Sequence, residues 1–221
     1  MNLFAEGLGL PFIVAGWLIF IATLIWAFKT APWDKVNGDK GAQNVLLGAA
    51  LVVFLIWQLS ASLGNGITFH FLLMTLLTLM FGAQFAIVGM ALALVGVVFE
   101  SGLGWLSFGL NAVLMGLVPI MITSLMLRFS KAYLELNFFV YILFNAFLAS
   151  AIGVVASLSL GAWVMWVNEV HTLKMLEQSF IVYIPLMATP EGFINALLMT
   201  AILFLKPRWV SSFDGEHFIK R

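Results

Sequence analysis

Apolar residues in this chain come in long unbroken runs, with polar residues gathered in short stretches between them. The runs are long enough for membrane-spanning helices, and the ten-residue alternating segments of a membrane β-barrel are absent. The spans read as about 10–28, 44–59, 105–127, 137–167 and 179–205, with one longer stretch from Ile67 to Phe99 broken only at Gly82-Ala83-Gln84. At about 1.5 Å per residue, one helix over that stretch would reach about 50 Å, too long for a hydrocarbon core of about 30 Å. Two short spans, 67–82 and 84–99, fit instead. The pattern therefore predicts an all-α, polytopic membrane bundle of about seven transmembrane helices, with residues 1–221 forming a single transmembrane domain.

The cations test that count, because Lys and Arg accumulate on the cytoplasmic side of a membrane protein. With seven spans and the N-terminus outside, Lys29, Lys35, Lys40, Arg128, Lys131, Lys206, Arg208, Lys220 and Arg221 all lie inside, and only Lys174 lies outside. With six spans and the same start, four cations lie inside and six outside. Seven spans, N-terminus out and C-terminus in, is the arrangement the charges favour.

Composition removes several classes of function. The chain is 63% hydrophobic and 9% charged, with mean hydropathy +1.10, so it cannot cover itself with a polar surface and must meet membrane lipid. Ten Lys+Arg balance ten Asp+Glu, which leaves no basic face for nucleic acid. The absence of cysteine excludes disulfides, thiolate metal sites and cysteine nucleophiles. The run 10–28 is too long for the core of a cleavable signal and is read as a span. Phosphate-binding Gly-Lys-Ser/Thr, His-Glu-x-x-His and Gly-x-Ser-x-Gly motifs are missing, as is a paired-carboxylate set, so an enzyme is not expected.

A few polar residues stand inside or beside the apolar runs. His70 opens the run 67–82, and a titratable, metal-capable ring is costly there unless it has a task or a partner on a neighbouring helix. Glu191 follows Thr189-Pro190, a cap-and-start pattern that predicts a broken last span, 179–188 and 190–205, with Glu191 as a capping acid or a gating position. Asn111 and Asn145 sit on otherwise apolar spans and are expected to bond between helices. His171 reads as a surface loop residue and His217 as part of a solvated tail.

The order of short motifs is specific where each alone is not. Gly66-x-x-x-His70, then Leu79-Met80-Phe81-Gly82, then Phe108-Gly109-Leu110-Asn111-Ala112-x-x-Met115-Gly116, then Pro185-Leu186-Met187-Ala188-Thr189-Pro190-Glu191-Gly192 follow one another along two thirds of the chain. This series resembles the CbiM/NikM family, the cobalt/nickel permease subunit of energy-coupling-factor ABC importers. Ala31-Pro32-Trp33 and Asn137–Ile142 make it most similar to that family's short proteobacterial branch. The resemblance implies a seven-helix bundle with an outward N-terminus in a bacterial cytoplasmic (inner) membrane. It implies a divalent transition metal, nickel or cobalt, as substrate, with no prosthetic group. It also implies partners: a transmembrane coupling subunit and ATPase subunits. Family members hold the metal through the N-terminal amine, a histidine at position two and the histidine of the Gly-x-x-x-His segment. His70 matches the last of these, whereas position two is Asn2. The implied donors are the Met1 amine, Asn2, Glu6 and His70, with Asn111 and Glu191 in structural or gating roles. Two functions stay open: a substrate-capture subunit, or a non-transporting scaffold subunit of a larger membrane complex in which the metal site is degenerate.

Overall fold

The computed structural model describes residues 3, 7–59, 61–62, 68–101, 104–135 and 137–213. Among the described residues, six helices are long and apolar enough to cross a membrane. They are α1 (Leu10–Thr30), α2 (Lys40–Gln58), α3 (Met74–Ser101), α4 (Phe108–Tyr133), α5 (Phe138–Val167) and a last run from Leu173 to Leu205. The last run consists of a short helix, α6 (Leu173–Ser179), a tight turn, and α7 (Ile184–Leu205). Large apolar side chains such as Leu18, Leu143 and Phe204 remain exposed on the outside of the bundle, as a lipid-facing surface requires.

Gly82 interrupts α3 with φ +80° and ψ 166°, a conformation that glycine adopts readily and L side chains do not. The two arms, 74–81 and 83–101, fold back on each other. A Cβ placed on Gly89 would lie 3.8 Å from the side chain of Leu77, twelve residues earlier, whereas a straight helix would separate them by about 18 Å. The expected pair of spans, 67–82 and 84–99, is thus one helical stretch with a reversal at the predicted glycine.

The head of the first arm departs from the expectation. Helix begins only at Met74, so His70 precedes the helix instead of lying on it. Thr68–Phe69 pair antiparallel with Ala61–Ser62, which commits this segment to extended backbone, and Leu73 is left-handed at φ +57°. The last span differs as well. α7 runs unbroken through Pro190, so the predicted division into 179–188 and 190–205 is not present. Proline removes one amide from the helix ladder, and here packing holds the helix together around that loss. Gly192 sits against Phe147, where a Cβ would approach the ring to 2.9 Å.

Two ends of the bundle can be told apart by their contacts. At one end, Asn168 after α5 accepts from the Gly9 amide before α1, the Trp57 indole at the end of α2 donates to the Leu72 carbonyl, and Phe69 stacks on Phe180. At the other end, Lys35, Gly82 and Arg208 line one cavity, and Ala83 and Arg128 line another. Three of the cations that the sequence placed on one side, Lys35, Arg128 and Arg208, therefore line cavities beside Gly82 or its neighbour Ala83.

Packing is tightest where α1 crosses the start of α4. A Cβ on Gly109 would sit 2.6 Å from the Trp17 backbone, and one on Gly16 would sit 2.6 Å from the Leu110 amide. Two backbones in contact leave no side chain to give way. Gly109→Ala is therefore expected to cost about 1–3 kcal/mol, read as a fall in thermal midpoint in detergent. Gly48→Ala, where a Cβ meets nothing within 4 Å, should leave the midpoint almost unchanged.

Candidate functional site

His70 is buried, 6% exposed, at the end of the bundle that also holds the start of α1. Its ring lies 5.5 Å from the Trp57 ring, and its Nδ1 is 3.2 Å from the Phe71 carbonyl. A carbonyl only accepts, so this contact places the proton on Nδ1 and makes Nε2 the acceptor nitrogen. Burial holds the imidazole pKa well below its ordinary value, which keeps the ring in the neutral form that ligates metals.

Two residues further on, the chain meets Glu191. Its carboxylate accepts from the Leu73 amide through Oε1 at 2.8 Å and from the Leu72 amide through Oε2 at 2.9 Å. Asn195, one turn along α7, donates to Glu191 Oε1 at 2.9 Å and accepts from the Leu76 amide at 2.9 Å. The first turn of any helix leaves amides without partners, and at membrane depth there is no water to take them. Glu191 and Asn195 supply three acceptors for that turn from a different helix. The acid sits at the positive end of the α3 dipole, where a negative group is stabilised. The expectation that Glu191 caps its own helix is thus corrected: with α7 continuous through Pro190, the amides that need an acceptor are those of α3.

The far end of the same arm is closed in a matching way. The Leu79 carbonyl accepts from the Ser212 hydroxyl at 2.6 Å, and the Met80 carbonyl accepts from the Ser211 amide at 2.8 Å. Tyr141 shares a 2.6 Å hydroxyl contact with Ser212. An eight-residue helix of about 12 Å is therefore held at its start by α7 and at its finish by the turn that follows α7.

Asn111 does something the sequence did not suggest. Its Oδ1 accepts from the Leu3 amide and its Nδ2 donates to the Leu3 carbonyl, both at 2.8 Å. That is a strand-like pairing made by one side chain, and it draws Leu3 into the core at 6% exposure. Asn168 adds a second hold on this segment through the Gly9 amide at 2.7 Å. Met1, Asn2 and Glu6, the other expected metal donors, lie outside the described residues, as does His217. Asn145 bonds between helices as expected, accepting from the Ser130 hydroxyl of α4 at 2.8 Å. His171 is half-buried in the turn after α5. Among the described residues no group of three His, Asp or Glu side chains comes together.

Asn195, Ser211 and Ser212 were not singled out from sequence. The Glu191-x-x-x-Asn195 spacing, which puts two polar side chains on one face of a helix, is the signal that was available for the first.

Residues 4–209 match the family described as CbiM, cobalt uptake substrate-specific transmembrane region. Two solved structures are similar in fold. A truncated transition metal transporter superposes with TM-score 0.78 at 19% identity, covering 92% of this chain and 99% of its own. A transition metal transporter superposes with TM-score 0.75 at 19% identity, covering 93% of each chain. No curated protein sequence matches the chain.

Glu191→Ala leaves two buried amides without acceptors, and an unmet buried group costs about 1–3 kcal/mol. The variant is expected to lose about 2–5 kcal/mol of stability and to lose hydrogen-exchange protection at Leu72 and Leu73 first. Glu191→Gln, which keeps one acceptor oxygen, should lose less.

Proposed function

The chain belongs to the CbiM family of cobalt-uptake substrate-specific transmembrane regions, and from that membership we propose that it captures a divalent transition metal at the His70 end of the bundle. It is a multi-pass membrane transport component and not an enzyme. The observation that carries the capture reading is a buried, neutral His70, with Nε2 as its acceptor nitrogen, at the end of the bundle where Asn111 holds the backbone of Leu3. Asn111 bonds both backbone groups of Leu3. The proposed donors are His70 and the Met1 amine, with Asn2 and Glu6 as oxygen donors. Imidazole and amine nitrogens suit cobalt, nickel and their neighbours in the transition series.

In this reading the His70 end faces outward and the chain crosses the inner membrane of a bacterium seven times. Two observations support it through the positive-inside rule: Lys35, Arg128 and Arg208 beside the Gly82 reversal, and the return of α3 on itself. The metal then passes to a separate transmembrane coupling subunit driven by ATPase subunits, as in an energy-coupling-factor importer. The arm 74–81 is the candidate link. Its start lies next to the His70 segment and its finish is tied to Ser211 and Ser212 at the other end.

The test is calorimetric titration of the purified full chain, native N-terminus intact, with Co(II), Ni(II), Zn(II) and Cu(II). Saturable binding of one metal per chain is expected, weakened at least about tenfold by His70→Ala, since even the loss of an outer-shell partner costs that much. Asn111→Ala, which releases Leu3, should also weaken binding by about tenfold. Binding that is absent, or unchanged in His70→Ala, would leave the scaffold function instead.

A further inference from the structure

A groove runs along the outside of the bundle between α2 and α7, with the arm 74–81 as its floor. Val45, Gly48, Ala49 and Val52 form one wall and recur at the spacing of a single helix face. Leu198 and Ile202 form the other wall, and Leu73, Leu76, Leu77 and Met80 form the floor. The groove encloses about 580 Å³ and is apolar along nearly its whole length. Its floor helix is about 12 Å long, close to the depth of one leaflet of a hydrocarbon core of about 30 Å.

The groove opens at the Gly82 end into a second cavity of about 490 Å³, with Val45, Met80 and Trp209 shared between the two. Lys35 and Arg208 line this mouth. Asp39 lines it too, but its Oδ1 already accepts from the Gly41 and Ala42 amides at the start of α2. Two cations against one carboxylate leave the mouth net basic, the channel beyond it is oily, and Trp209 sits where the two meet.

We propose that this groove binds one anionic phospholipid, with its phosphate between Lys35 and Arg208 and one acyl chain lying over the arm 74–81. Polarity decides between a lipid and a partner helix: a mouth lined by Lys35 and Arg208 followed by an apolar channel matches a headgroup followed by an acyl chain. Charge complementarity selects an anionic headgroup, and basic residues next to a membrane span attract such lipids. The occupant would rest on the arm that α7 and the turn after it hold in place. The proposal stands independently of which substrate His70 takes.

The test reconstitutes the full chain into phosphatidylcholine vesicles with and without phosphatidylglycerol, then reads retained lipid by native mass spectrometry. The wild type is expected to keep one phosphatidylglycerol per chain in preference to phosphatidylcholine. Lys35→Gln and Arg208→Gln should each reduce that preference by about fivefold. Gly48→Leu should abolish retention of both lipids, because a Cβ there meets nothing within 4 Å and the longer side chain extends into the groove without moving backbone. An unchanged thermal midpoint confirms that each variant is folded. Equal retention of the two lipids by the wild type, or a preference that survives all three substitutions, would overturn the proposal. So would a photo-crosslinker at position 48 that joins polypeptide instead of lipid in native membranes.

Discussion

The carboxylate of Glu191 accepting from the Leu72 and Leu73 amides is the contact on which the arrangement of this bundle rests. A helix that starts at membrane depth has amides with no water to bond, and each would cost about 1–3 kcal/mol if left unmet. The chain needs such a start because Gly82 reverses α3 after only eight residues, leaving an arm too short to reach both faces of a membrane. At least one end of that arm therefore falls inside the protein. Glu191 and Asn195 answer at one end, Ser211 and Ser212 at the other, and all four belong to α7 or the turn after it. This also explains why an acid can be buried here. It is surrounded by donors and faces the positive end of a helix dipole.

The same logic governs the approach to His70. The segment before the arm is extended, paired with Ala61–Ser62, and held by the Trp57 indole on the Leu72 carbonyl. These contacts fix the imidazole against Trp57 and direct its proton to the Phe71 carbonyl. Leu3 is held at that end of the bundle by Asn111, which spends both its donor and its acceptor on it. The close crossing of Gly16 over Gly109 sets the height at which Asn111 stands beside α1. These contacts hold the His70 segment through backbone hydrogen bonds instead of through a charged cluster.

The all-α membrane class and the interruption near Gly82 could be read from sequence. Composition, run length and charge placement act through the solvent, and the bilayer imposes the same requirement on every chain. The late start of α3, the unbroken α7 and the partners of Asn111 and Glu191 could not be read. The pattern Thr189-Pro190-Glu191 is a sound local signal for a helix start, yet α7 runs through it with Gly192 packed on Phe147. Glu191 is 119 residues from the Leu72 amide and Asn111 is 108 from the Leu3 amide. Local sequence determines which backbone groups will lack partners, whereas the identity of the side chain that satisfies them is decided only when distant helices are packed together.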